Sequence, residues 1–229
     1  ALGTFDSGLA LWGNKAYLEK AGVRIPTGLD DAWDQAEFLD AMEKLQALDE
    51  VEYALDMKMN YGVGEWYTYA FSPILQSFGA DLIDRNDYQS ADGVLNGPEA
   101  VEAMTFFQEL FTKGYANANP AGDDDFYGRK IAALSFVGHW MWAPHNEGLG
   151  DDLVVIPMPK FGDKVVTGMG SWNWGLTSSC PSPDAAWKVL DFLVSTDEIL
   201  RMTNANGAVP ARKSALAKSE LYAEGGPVN

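Results

Sequence analysis

Apolar and polar positions along the chain alternate between two periods. Phe5 to Gly13 is an apolar run that predicts a strand, and residues 14–22 read as a short helix closed by Gly22. After a turn over 26–31, Phe38, Met42 and Leu45 at i, i+4 and i+7 predict an amphipathic helix from Asp31 to about Leu48. Residues 49–64 read as a loop carrying a short strand. Residues 65–71 precede or open a helix reaching about Ser77, and 81–93 form a polar turn or small hairpin.

The strongest helix signal starts at Pro98, which suits a first helical position. Ala100, Val101, Met104, Phe107, Leu110 and Phe111 form its predicted apolar stripe, and Gly114 closes it. Ile131 to Val137 is apolar and suited to a buried strand that delivers Trp140. Leu153 to Met158 and Val165 to Thr177 are further strand candidates. Ser182-Pro183 opens a helix to about Val194, and Ser195-x-x-Glu198 is a capping-box pattern for another. Irregularly alternating strands and helices predict an α/β fold, without an internal repeat.

Composition narrows the partners. The 229 residues hold 16 basic and 33 acidic side chains, a formal charge of −17. That argues against nucleic acid and anionic membrane, both of which need basic surface. The single cysteine, Cys180, leaves no intrachain disulfide and no cysteine-based metal site. His139 and His145 stand six apart around a proline, which is not a metal-ligand spacing. Asp123-Asp124-Asp125 reads as a solvated loop or a helix start.

Tryptophan is the loudest chemical signal. Gly138-His139-Trp140-Met141-Trp142 and Gly168-Met169-Gly170-Ser171-Trp172-Asn173-Trp174-Gly175 place four indoles beside glycines, a setting that lines clefts. Flat aromatic faces stack on sugar rings. Glu65-Trp66-Tyr67 adds a carboxylate and two rings with polar handles, suited to a polyol, although a helix start with its rings in the core is the competing reading. Asp6 interrupts an apolar run and either faces solvent on an edge strand or aims into a site. No nucleophile elbow, P-loop, zinc-protease helix or glycine fingerprint occurs. Paired carboxylates such as Asp6 and Glu65 are too common in an acidic chain to indicate a glycosidase.

The order of motifs resembles a known family. Leu9-Ala10-Leu11-Trp12-Gly13-Asn14-Lys15 through Glu19-Lys20-Ala21-Gly22, Trp33-Asp34, Ser77-Phe78-Gly79-Ala80-Asp81, Leu95-Asn96-Gly97-Pro98-Glu99-Ala100-Val101-Glu102-Ala103, Phe126-Tyr127-Gly128-Arg129-Lys130 with Gly138-x-Trp140, Ser182-Pro183-Asp184-Ala185-Ala186-Trp187, and Asn206-Gly207-x-Val209-Pro210 are similar to segments of family 1 of the bacterial extracellular solute-binding proteins, the maltose-binding-protein-like receptors of ABC importers. Ala32 stands where that family has Thr before Trp-Asp, which moves the helix cap to Asp30 or Asp31. None of the seven is specific alone; their order along nearly the whole chain is.

The resemblance implies a periplasmic-binding-protein-like (type II) clamshell of two α/β lobes, of which this chain is a piece. Residues 1–168 would be most of the C-terminal lobe, 169–212 a returning N-terminal-lobe segment, and 213–229 the start of the C-terminal helical region. It further implies a monomeric, non-enzymatic receptor in the periplasm or on a cell-surface lipoprotein, without cofactor or metal, that holds a carbohydrate between its lobes and presents it to the permease subunits of an ABC importer. The implied ligand contacts are Asp6, Glu65, Trp66, Tyr67, Trp140, Ser171, Trp172 and Asn173, with Trp12, Trp142, Trp174 and Trp187 assigned to packing. Rival readings are the same fold binding a polyamine, iron or thiamine, a carbohydrate-active enzyme, and an adhesin without a small ligand.

Overall fold

The computed structural model describes residues 2–170 and 172–228. The chain divides into two compact units. One comprises residues 9–137 and 144–168, and the other the N-terminal residues to Gly8 together with 138–143 and the segment from Met169 onward.

Strand β1 (Leu2–Gly3) and the first part of β2 (Phe5–Asn14) belong to the smaller unit, and β2 continues into the larger one. There Asn14 caps α1 (Lys15–Lys20) by accepting from the Tyr17 N–H, and Gly22 leaves it at φ 65°. Helix α2 (Gln35–Gln46) is shorter than its periodicity predicts. Its cap is Asp34, in a reciprocal capping box with Glu37, and not Asp30 or Asp31. Asp31 is already occupied: its carboxylate accepts the backbone N–H groups of Thr27 and Gly28, and Arg24 lies 3.4 Å away. A short 3-10 turn therefore takes 29–31, and Trp33, buried with its indole donating to the Arg24 carbonyl, sets where α2 begins.

Strand β3 (Tyr53–Asp56), α3 (Glu65–Ser77), α4 (Pro98–Thr112), β4 (Ala132–Gly138), α5 (Trp142–Leu149) and β5 (Leu153–Ile156) follow. The sheet order is β3-β4-β2-β5, with β3 and β4 parallel and β2 and β5 antiparallel from Leu11↔Ile156 to Asn14↔Leu153. β4 is buried along its whole length, as expected of a central strand. Between α3 and α4 the polar segment forms turns, not a hairpin.

Helix α4 starts at Pro98 as predicted, but its buried face is rotated. Ala100, Ala103, Phe106 and Leu110 point inward, while Val101 and Met104 are exposed. The Phe106 ring decides this, because it enters a cluster with Phe38, Phe78 and Phe161 at centroid distances of 5.4–6.2 Å.

In the smaller unit the first half of β2 pairs antiparallel with β6 (Met169–Gly170) and β8 (Val209–Pro210), while β1 pairs with β7 (Asn173–Trp174). Helices α6 (Pro183–Leu193), α7 (Thr196–Asn206) and α8 (Lys213–Leu216) complete it. Ser195 caps α7 by accepting from the Glu198 N–H. Met141, Leu190, Ile199, Ala208 and Ala215 are among its buried apolar positions. Trp174 and Trp187 are 43% and 53% exposed, which corrects their assignment to packing: α6 buries only Leu190, so its indole has no interior to enter. Trp12, by contrast, is buried as expected, with its indole donating to the Val137 carbonyl at 2.9 Å.

Candidate ligand-binding site

Seven of the eight candidate residues lie among the described residues, and the smaller unit carries four of them. Asp6 sits on β2 opposite Val209, in the wall of an open hollow of about 580 Å³ that also takes in Phe5, Met169, Asn173 and Ala211. Its Oδ1 is buried without a hydrogen-bond partner. Burial pushes the Asp6 carboxyl above its ordinary range, and the Ser7 backbone N–H offsets part of that. A half-buried carboxylate with spare acceptor capacity, next to open space, suits a ligand rich in hydroxyl donors.

Asn173 lies exposed on β7, opposite Gly3. Trp172, just before it, is 72% exposed, more than packing explains for an indole. Trp140 follows β4 in a short 3-10 turn, and its ring folds back over Gly138. A Cβ at 138 would stand 2.2 Å from the ring, so only glycine there lets the indole take this place. His139 meets the same ring edge-on at 5.4 Å. Ser171 lies outside the described residues.

The larger unit carries the other three at the start of α3. Glu65 is the first helical residue and is exposed, and Tyr67 is 37% exposed. Trp66 points the other way. It is 8% exposed, donates to the Met57 carbonyl at 3.3 Å, and touches the rings of Tyr61, Phe71 and Phe136 edge-on. Consecutive helical side chains diverge by about 100°, so a helix that buries Trp66 turns Glu65 and Tyr67 outward. Trp66 thus belongs to the core side of α3, away from the exposed Glu65 and Tyr67.

The acidic triplet is more structured than a solvated loop. Asp123 pairs with Lys58 at 3.0 Å, and Asp125 is buried with Arg129 at 2.8 Å. Among the described residues no group of three or more His, Cys, Asp or Glu is placed to hold a metal. His145 is fully buried, with neither ring nitrogen hydrogen-bonded, and burial with Lys58 nearby pulls it down to about 3. No helix among the described residues is long and apolar enough to cross a membrane.

Residues 2–199 match the sequence profile of the bacterial extracellular solute-binding proteins. The chain belongs to that family. This is the family expected from the order of the motifs. Among curated relatives, a putative binding protein of Brucella abortus is 26% identical over 231 residues, and the maltodextrin-binding protein MdxE of Bacillus subtilis is 24% identical over 221. Those alignments cover 94% and 93% of this chain but 51% and 50% of the relatives, so it spans about half their length.

Solved solute-binding proteins share the fold. Maltose-bound MalE3 of Thermotoga maritima superposes with a TM-score of 0.75 at 23% identity, covering 94% of this chain and 55% of that one. A solute-binding protein of an ABC transporter from Thermotoga lettingae, bound with alpha-D-tagatose, gives 0.72 at 24%, covering 96% and 56%. The mixed α/β architecture is that of the periplasmic-binding-protein-like fold expected from the sequence.

Proposed function

We propose that this chain is part of the substrate-binding component of an ABC importer that captures a sugar or oligosaccharide outside the cytoplasm and presents it to a membrane permease. The observation that carries the reading is Trp172. It is a largely exposed indole next to Asn173, and Asn173 shares a hollow with the half-buried, underpartnered Asp6 carboxylate. An apolar ring face beside a neutral donor and a charged acceptor matches a pyranose, which offers C–H patches on one side and hydroxyls at its rim. Membership of a solute-binding family supports it, as do relatives described as binding maltodextrin, maltose and tagatose.

On this reading the smaller unit offers Trp172 and Trp140 for stacking on sugar and Asp6, Asn173 and Ser171 for its hydroxyls, and the larger unit offers Glu65 and Tyr67. Residues 1–168 correspond to most of the C-terminal lobe, 169–212 to a returning segment of the N-terminal lobe, and 213–229 to the start of the C-terminal helical region. Binding is non-covalent, with no catalytic step.

The test is a thermal-shift and calorimetric screen against neutral mono-, di- and oligosaccharides, with polyamines and metal cations as controls. A saccharide that binds only the folded state raises the melting temperature. Trp172→Ala is expected to weaken that binding roughly tenfold, the loss of about 1.4 kcal/mol of stacking. A response to cations alone would move the function to a charged solute, and turnover of a glycoside would replace the receptor reading with an enzyme.

A further inference from the structure

Lys58 follows β3 and is wholly buried, 0% exposed, an unusual place for a lysine. Its ammonium lies 2.7 Å from Asp56 Oδ2 and 3.0 Å from Asp123 Oδ1, and donates to the Asp123 carbonyl at 2.8 Å. The ammonium is thus held by two ion pairs and one hydrogen bond. The Asp56 carboxylate also accepts the Lys58 backbone N–H at 2.9 Å through Oδ1 and the Ser135 hydroxyl at 3.3 Å through Oδ2. Burial alone would pull the Lys58 ammonium down, but Asp56 and Asp123 together hold it above its ordinary value.

The backbone at Lys58 has φ 53°, a left-handed conformation that costs a side-chain-bearing residue energy and that glycine or asparagine adopts more readily. A lysine in that position is explained by what its side chain reaches. The ammonium ties the end of β3 to the 123 loop, 65 residues away in sequence.

From this clamp the chain turns tightly toward α3. The Lys58 carbonyl accepts from the Tyr61 N–H at 3.0 Å, and the Met59 carbonyl accepts from Gly62. The Met57 carbonyl receives the Trp66 indole, and the Tyr61 ring packs edge-on against that indole at 5.0 Å. Asn60 adds a second strand to the clamp, its amide donating to Asp123 Oδ1 at 3.4 Å. The segment that ends in Glu65 and Tyr67 is thereby fixed at one end by a buried ion cluster and at the other by Trp66.

We propose that Lys58 is a positioning residue for ligand binding: its buried ammonium joins Asp56 to Asp123 and so pre-organises the 59–67 segment that presents Glu65 and Tyr67. The proposal rests on the sugar-binding reading for its functional consequence, since a surface ordered beforehand spares the ligand the entropic cost of ordering it.

The experiment uses the full chain and the pair Lys58→Met with Asp56→Asn, which leaves no lone buried charge. Asp123→Asn, at a half-exposed partner, serves if the pair does not fold. Amide hydrogen exchange is read over 57–67, with 35–46 in α2 as the reference, and saccharide affinity is measured where circular dichroism shows the variant folded. The expected result is exchange at least roughly tenfold faster over 57–67 with α2 unchanged, and affinity roughly tenfold weaker, with saccharide restoring the lost protection. Unchanged exchange over 57–67 would overturn the clamp. Mobilised 57–67 with unchanged affinity would overturn the positioning role and leave Lys58 purely structural. If the unsubstituted chain binds no saccharide, the sugar-binding reading is what fails, and the exchange result alone decides the clamp.

Discussion

Acidifying the protein from about pH 7.5 to about pH 5.5 is expected to remove about 1.4 kcal/mol of stability from each unit, through one histidine apiece. His139 in the smaller unit is 7% exposed, and burial pulls it down to about 4. His145 in the larger unit is wholly buried among the rings of Trp12, Phe126 and Tyr127, with Lys58 as the charge that bears on it, and lies at about 3. Both folded values lie below the ordinary value of 6.5. As pH falls through the ordinary value, the unfolded chain takes up a proton that the folded chain refuses. Stability is therefore intact above about pH 7 and falls steadily down to the folded values near 3–4. Asp6 and Asp125 work in the opposite sense, since burial holds both above the usual carboxylate range and protonation relieves them. Urea midpoints measured at the two pH values check this. His145→Phe, which keeps a ring in the cluster and removes the proton site, should flatten the dependence of the larger unit, and an equal slope with and without His145 would refute the account.

The second large effect lies in the core of the larger unit. Phe38→Ala is expected to cost about 3–5 kcal/mol, because it removes a fully buried ring and leaves a cavity that cannot collapse. Phe38 meets Phe161 edge-on at 5.1 Å and Phe106 at 6.2 Å, and these rings come from segments far apart in the chain. The loss should appear as a fall in urea midpoint for the larger unit, with Phe38→Leu recovering more than half of it. A loss under about 1 kcal/mol would mean that the neighbouring rings repack into the space.

What the sequence showed of this fold is mostly local. Asn14 and Gly22 bracket α1 by their own side chain and backbone chemistry, and Pro98 and Gly114 do the same for α4, so both helices are legible without tertiary information. The errors arise where distant partners decide. Asp30, Asp31 and Asp34 are all competent caps by type, and the Arg24 and Thr27 contacts of Asp31 select Asp34. The stripe of α4 holds apolar residues on more than one side, and which side turns inward depends on Phe161, more than fifty residues away. At the candidate site, the carboxylate in an apolar strand was a visible signal for Asp6. The pair Trp66 and Tyr67 was not resolvable, because adjacent aromatic letters do not say which ring the helix buries. Lys58 gave no signal at all: a lysine in a polar loop looks solvated until Asp123 is brought to it.

The exposed side chains of α6 bear on how this chain behaves at high concentration. Trp187, Val189 and Phe192 are each more than half exposed, and Trp174 and Leu176 of the same unit are at least 40% exposed. Exposed apolar side chains are adhesive at short range, while a formal charge of −17 repels other copies at long range. The repulsion reaches about 30 Å at 0.01 M salt but only about 8 Å at 0.15 M, whereas apolar adhesion does not weaken with salt. The colloidal balance thus tips with ionic strength: dilute buffer keeps the copies apart, and physiological salt lets the indoles meet.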